Sequence, residues 1–209
     1  MNDAPLYTLH ERIWHWIQAL TIGVLLVTGA EIHAPGRFHP LGFETAVAVH
    51  NTFAALLLLN AVLGLFYFLT SGMLRQYLPG ERGFFHLALA QARYYLRGIF
   101  RGETHPMEPT PERKLNPLQK LTYLAILNVL LPLQVLTGVL IWGAQRWPGF
   151  VDGLGGLSVL VPVHALASWL FLAFILMHVY LTTTGRTPLA SLRAMLGGYS
   201  AEPEKGAES

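Results

Sequence analysis

Four long stretches contain no Asp, Glu, Lys or Arg: Ile13 to Ala30, Thr45 to Thr70, Leu121 to Ala144, and a fourth within Leu154 to Gly185. Crossing a bilayer core takes about 20 predominantly apolar helical residues. Inside lipid the backbone must satisfy its own N–H and C=O groups, which a helix does within one segment. Spans over about 13–33, 45–70, 118–144 and 158–184 are therefore expected in an all-α integral membrane four-helix bundle. Residues 1–200 are read as one transmembrane domain and 201–209 as a disordered tail rich in Gly, Glu and Ser.

Composition agrees with lipid as the solvent: of 209 residues, 53% are hydrophobic and only 12% charged. The first stretch follows Asp3 and Glu11, opens on Trp14 and Trp16 and lacks a small-residue cleavage site, so it is read as a retained helix and not a secretory signal. The pI near 9.0 does not point to nucleic acid, because the basic residues sit beside apolar spans and not on one soluble face.

Those basic residues set the expected orientation. Arg75, Arg82, Arg93, Arg97, Arg101, Arg113 and Lys114 crowd the connector between spans two and three, with Lys120 just beyond. Arg12 precedes the first span, and Arg186, Arg193 and Lys205 follow the last, whereas the two other loops hold only Arg37 and Arg146. By the positive-inside rule the connector and both termini are cytoplasmic. Within the connector, Gly83 to Phe100 mixes Phe84, Leu87, Tyr94, Leu96 and Ile99 with Arg93 and Arg97, the pattern of an interfacial amphipathic helix. Pro-rich, charged His105 to Pro117 is expected to stay irregular.

Four of nine histidines fall inside the spans: His15, His50, His164 and His178. Each is costly in lipid, so four together point to function. Fourteen residues separate His164 from His178, about 21 Å along a helix and nearly back on one face. Because successive spans alternate in direction, His15 shares its depth with His178, and His50 shares its depth with His164. Two imidazoles facing one another are what six-coordinate haem iron requires. The chain has no cysteine, so C-x-x-C-H attachment is excluded and any haem is held non-covalently. Small residues follow the histidines at helical spacing, Ala19 and Gly29, Ala54, Ala61 and Gly64, then Ser168, although ordinary helix packing enriches the same residues. A di-metal carboxylate site is a poor competitor, since Glu31, Glu44 and Asp152 lie at span ends or in loops. His10, His33, His39, His86 and His105 are expected to be solvated or interfacial.

Arg12-Ile-Trp-His15-Trp16, closing with Val27-Thr28-Gly29, resembles the first helix of bacterial cytochrome b561-type di-haem membrane subunits. These are the b-type cytochrome subunits of nickel-iron hydrogenases, formate dehydrogenases and thiosulfate reductases. A second motif, Lys114-Leu-Asn116-Pro-Leu-Gln119-Lys120 followed by Leu136-Thr137-Gly138, resembles the formate dehydrogenase and thiosulfate reductase branch, and the His164 to His178 spacing is a third. The match covers roughly residues 10–185.

The resemblance implies two haem b groups, one between His15 and His178 on the cytoplasmic side and one between His50 and His164 on the outer side. It also implies a menaquinone or ubiquinone site at Asn116 and His178, with capping of the third helix as a compatible role for Asn116. Arg12, and with it Arg186, is a candidate for haem propionates; topogenic charge explains both equally. The implied protein is an electron-transfer subunit of a respiratory complex in the bacterial inner membrane, joining quinone to a periplasmic iron-sulfur or multihaem partner. Two other readings stay open: a free-standing cytochrome b oxidising a small periplasmic reductant, and a four-helix transporter or ion-binding protein whose histidines relay protons.

Overall fold

The computed structural model describes residues 5–80, 82–103, 114–184 and 187–199, and every regular element among them is helical. In chain order these are α1 (Leu9–His33), α2 (Phe43–Thr70), α3 (Phe84–Arg93), α4 (Pro117–Trp142), α5 (Pro148–Gly153), α6 (Leu157–Thr182) and α7 (Ala190–Gly197). A short 3-10 turn at Met73–Tyr77 leads into the connector. The helices long and apolar enough to cross a membrane are α1, α2, α4 and α6. Arg113, the stretch that holds His105, Arg186, Lys205 and the tail 201–209 lie outside the described residues.

Local chemistry sets the helix boundaries. α1 begins four residues before Ile13, the start of the first uncharged run, because Thr8 and Glu11 form a capping box: Glu11 N–H donates to Thr8 Oγ1 at 3.3 Å, and Thr8 N–H donates to the Glu11 carboxylate at 2.8 Å. Asn116 and Gln119 make the same reciprocal pair at the start of α4, with Pro117 in the first turn, where its missing N–H costs nothing. At the other end of the bundle, Glu31 from α1 is fully buried and accepts from the N–H groups of Leu41 (3.1 Å) and Gly42 (2.7 Å). Its charge thus satisfies orphan amides at the N-terminus of α2, where the helix dipole favours an anion.

Inside α4, residues Ile126–Leu130 are π-helical, just before Pro132. The Leu131 N–H reaches Ile126 O, and Asn128 Nδ2 donates to Leu124 O at 2.8 Å. A proline lacks the N–H that the regular ladder needs, and the π turn shifts the ladder just ahead of it while Ile126 O and Leu124 O keep these partners.

Two antiparallel hairpins result, α1 with α2 and α4 with α6, each closely packed within itself, whereas α1 and α6 approach each other at few backbone positions. We call the end that carries the connector, α3 and α7 the connector end, and the opposite one the loop end. At the connector end, α3 buries Phe84, Ala88 and Gln91 toward the start of α4 and exposes Phe85 and Leu89, and the helical turns that continue it to Arg101 expose Leu96 and Phe100. That is the face expected of an interfacial helix. α7 is a second such element that the sequence reading did not resolve: it exposes Leu192 and Leu196 and buries Ala194. It is tied to α1, with Tyr7 N–H donating to Gly198 O at 3.1 Å and Trp16 Nε1 donating to Met195 O at 3.3 Å.

The α1–α2 seam is polar at its centre. Trp14 Nε1 donates to Asn60 O at 3.1 Å, and Asn60 Nδ2 donates to Trp14 O and Gln18 Oε1 at 3.3 and 3.2 Å. Gly64 makes room for this indole: a Cβ there would fall 2.2 Å from Trp14 Nε1. Gly64 therefore serves helix packing, not the space below His50. Gly64→Ala should displace Trp14 and destabilise the hairpin by about 1–3 kcal/mol, the usual cost of overpacking. Gly23→Ala, whose Cβ would meet nothing within 4 Å, should be close to neutral. Thermal unfolding of the two detergent-solubilised variants separates these expectations.

Candidate functional site

The space between the hairpins holds the four intramembrane histidines in two pairs. His15 of α1 faces His178 of α6 with ring centroids 6.2 Å apart, toward the connector end. His50 of α2 faces His164 of α6 at 6.4 Å, toward the loop end. All four rings are half-buried. The structure thus brings together the pairs expected from depth.

The spacing fits a shared metal. Metal–imidazole nitrogen bonds of about 2 Å, with each ring centroid about 1.1 Å beyond its nitrogen, put two axial imidazoles about 6 Å apart. Each pair supplies only two donors, as suits iron whose remaining four bonds come from a macrocycle. Among the described residues no group of three or more His, Cys, Asp or Glu is placed to hold a bare ion.

The loop-end pair is held on both sides by the same device. Thr28 Oγ1 stands 2.9 Å from His50 Nδ1, and Thr137 Oγ1 stands 2.9 Å from His164 Nδ1. Each threonine is followed by a glycine that lets the imidazole lie close: a Cβ on Gly29 would be 3.5 Å from His50 Cε1, and one on Gly138 would be 3.2 Å from His164 Cε1. Gly29 therefore serves His50 rather than the surroundings of His15. On the α6 side, Gln134 Nε2 lies 3.1 Å from His164 Nε2 and donates to Ser168 Oγ at 2.9 Å. The Thr-Gly dipeptides were visible in the sequence as motifs, but their contact with the histidines depends on helix rotation.

At the connector end the surroundings differ. No hydrogen bond reaches the rings of His15 or His178 from the described residues; Trp16 stands edge-on to His15, and Phe174 stacks on His178 with centroids 5.8 Å apart. Arg12, one turn before His15, has a buried Nε with no partner among the described residues. Lys114 Nζ lies 2.7 Å from both Glu11 carboxylate oxygens, joining the start of α4 to the start of α1.

Asn116 is buried and caps α4, and its Nδ2 donates to Tyr95 Oη at 3.3 Å. No hydrogen bond or ring contact joins it to His178, whose stacked Phe174 meets Tyr123 of α4 with centroids 6.0 Å apart. Burial pushes the phenols of Tyr7, Tyr77 and Tyr95 upward, with the Glu11 carboxylate adding to the effect at Tyr7 and hydrogen bonds from Asn116 and Gln91 opposing it at Tyr95. These groups therefore stay protonated and able to donate around neutral pH. His10 stacks on Tyr67 at 3.7 Å. His33, His39 and His86 are exposed.

A family model described as prokaryotic cytochrome b561 matches residues 6–198. The chain belongs to that family. It is 36% identical to the cytochrome YdhU of Escherichia coli over 195 residues, 93% of this chain and 73% of that one. It is 27% identical to YedZ1 of Azospira oryzae, named as a protein-methionine-sulfoxide reductase subunit, over 90% of this chain and 97% of that one. It is also 27% identical to a nickel-iron hydrogenase B-type cytochrome subunit of Cupriavidus necator, over 92% and 85%. No solved structure matches. This is accordingly a multi-pass membrane cytochrome of the b-haem electron-transfer type.

Proposed function

We propose that this chain is the membrane-anchoring subunit of a respiratory complex and moves electrons through two haem b groups between quinone and a periplasmic iron-sulfur or multihaem partner. The observation that carries the reading is the pair of imidazole pairs, 6.2 and 6.4 Å across, at two depths of one bundle. His15 and His178 would hold the connector-end haem and His50 and His164 the loop-end haem. Arg12, whose Nε has no partner among the described residues, would suit a propionate at the connector end. When bound, haem b supplies the reversible one-electron chemistry of its iron.

The chain's own residues then have distinct tasks. The histidines present neutral nitrogen donors, and the hairpins keep the sites dry and fixed. At the connector end, Asn116 and the protonated Tyr95 offer the hydrogen bonds that quinone oxygens need, and His178 is the further candidate contact. The basic connector supports a cytoplasmic position for this end and a periplasmic one for the loop end, in a bacterial inner membrane. Two of the relatives are named as subunits of a hydrogenase and of a reductase, which supports assembly with a separate redox chain.

The test is haem quantification followed by reduction with a quinol. Two b-type haems per chain, reducible by ubiquinol or menaquinol, are expected. Asn116→Asp keeps a capping side chain but removes the amide donor, so the rate with quinol should fall about tenfold, the size of a lost charged or polar contact of about 1.4 kcal/mol, with haem content unchanged. A single haem per chain, or quinol reduction indifferent to Asn116, contradicts the reading.

A further inference from the structure

We infer that Thr28 and Thr137 are positioning residues that fix the proton of both loop-end histidines and thereby set that haem's potential apart from the other; this rests on the two-haem reading. The hydroxyl of Thr28 has one hydrogen, and Val24 O lies 2.8 Å from Thr28 Oγ1. A carbonyl oxygen only accepts, so that hydrogen is committed to it. At the 2.9 Å contact with His50 Nδ1 the threonine oxygen must therefore accept, and Nδ1 carries the imidazole proton.

Thr137 repeats the arrangement. Its hydroxyl donates to Leu133 O at 2.7 Å and accepts from His164 Nδ1 at 2.9 Å. A separate contact agrees: Ser168 Oγ donates to His164 O and accepts from Gln134 Nε2, so Gln134 presents N–H groups and its 3.1 Å approach to His164 Nε2 is to a lone pair. In both rings Nε2 is thus the nitrogen without the proton, the one able to donate a lone pair to a metal.

An acceptor on Nδ1–H does more than orient the ring. It raises the basicity of the opposite nitrogen, and such outer partners change metal affinity about 10–100-fold. A stronger nitrogen donor favours the ferric over the ferrous iron. His15 and His178 have no such partner among the described residues and are flanked by aromatic rings. The two centres therefore differ by construction, with the threonine-backed pair held toward lower potential than it would otherwise have.

Redox titration of the intact chain, followed by difference absorbance and low-temperature electron paramagnetic resonance, tests this. Thr28→Val and Thr137→Val should each raise the potential of one haem by about 59 mV, a tenfold change in its ferrous-to-ferric ratio. The second haem should not move. Thr28→Ser and Thr137→Ser restore the hydroxyl and should return the potential. If a valine chain fails to accumulate, the alanine and serine pair at that position is compared in the same way. Unchanged potentials, equal shifts of both haems, or a serine that behaves like valine overturns the inference. Wild-type chain with other than two haems defeats the two-haem reading instead.

Discussion

On the two-haem reading, His178→Ala is expected to leave one b-type haem per chain in place of two. His178 supplies one of two protein donors at the connector end, its ring 6.2 Å from that of His15, and nothing nearby substitutes for it, since Phe174 is the ring stacked on it. His164 lies fourteen residues earlier on the same helix and keeps its own partner His50, with Thr28 and Thr137 still in place. His50→Ala should produce the converse chain, lacking the loop-end haem alone. Haem-to-protein ratios and reduced-minus-oxidised spectra of the two variants should therefore be complementary, each near half the wild-type content with different band positions. Loss of both haems from either chain, or of neither, would sink the pairing.

Lys114→Met should produce the largest loss of stability. The Lys114–Glu11 pair is about nine-tenths buried at both side chains and joins the N-terminal ends of α1 and α4, the first helices of the two hairpins. Glu11 also closes the capping box on Thr8, and Lys114 lies over the Tyr7 ring at 5.6 Å. Removing the ammonium leaves a carboxylate without its counter-charge, which costs about 3–5 kcal/mol for a buried pair. The double variant Glu11→Gln/Lys114→Met removes the stranded charge and should recover most of that loss, so the two single effects will not add. His15 follows Glu11 by about one turn, hence thermal release of haem from Lys114→Met should begin with the connector-end centre. Equal stability of the single and double variants would show that the stranded carboxylate is not the source of the loss, and a single variant as stable as wild type would show that the pair contributes little.

The sequence made the spans and the histidine pairs legible for a physical reason. A bilayer demands a fixed length of uncharged helix, and a helix of known rise converts residue number into depth. Alternating direction then matches His15 with His178 and His50 with His164, without any knowledge of packing. The third helix starts at Pro117 with Asn116 as its cap, the role that the sequence offered for Asn116 beside quinone contact, because capping is a local signal.

What stayed hidden were contacts that depend on how each helix is turned about its own axis. α2, α4 and α6 are apolar on nearly every side, so their sequences mark no preferred inner face. Gly64 looked like room beneath His50 and instead admits Trp14; Gly29 looked like room beneath His15 and instead lies against His50. The capping of α2 by Glu31 and the joining of Glu11 to Lys114, 103 residues away, required the chain to return through space. Sequence by itself therefore determined how many times this protein crosses the membrane and at what depths its imidazoles lie. Only the tertiary structure decided which side chains back them, because depth follows from rise per residue, whereas rotation and lateral neighbours follow from packing that apolar composition does not encode.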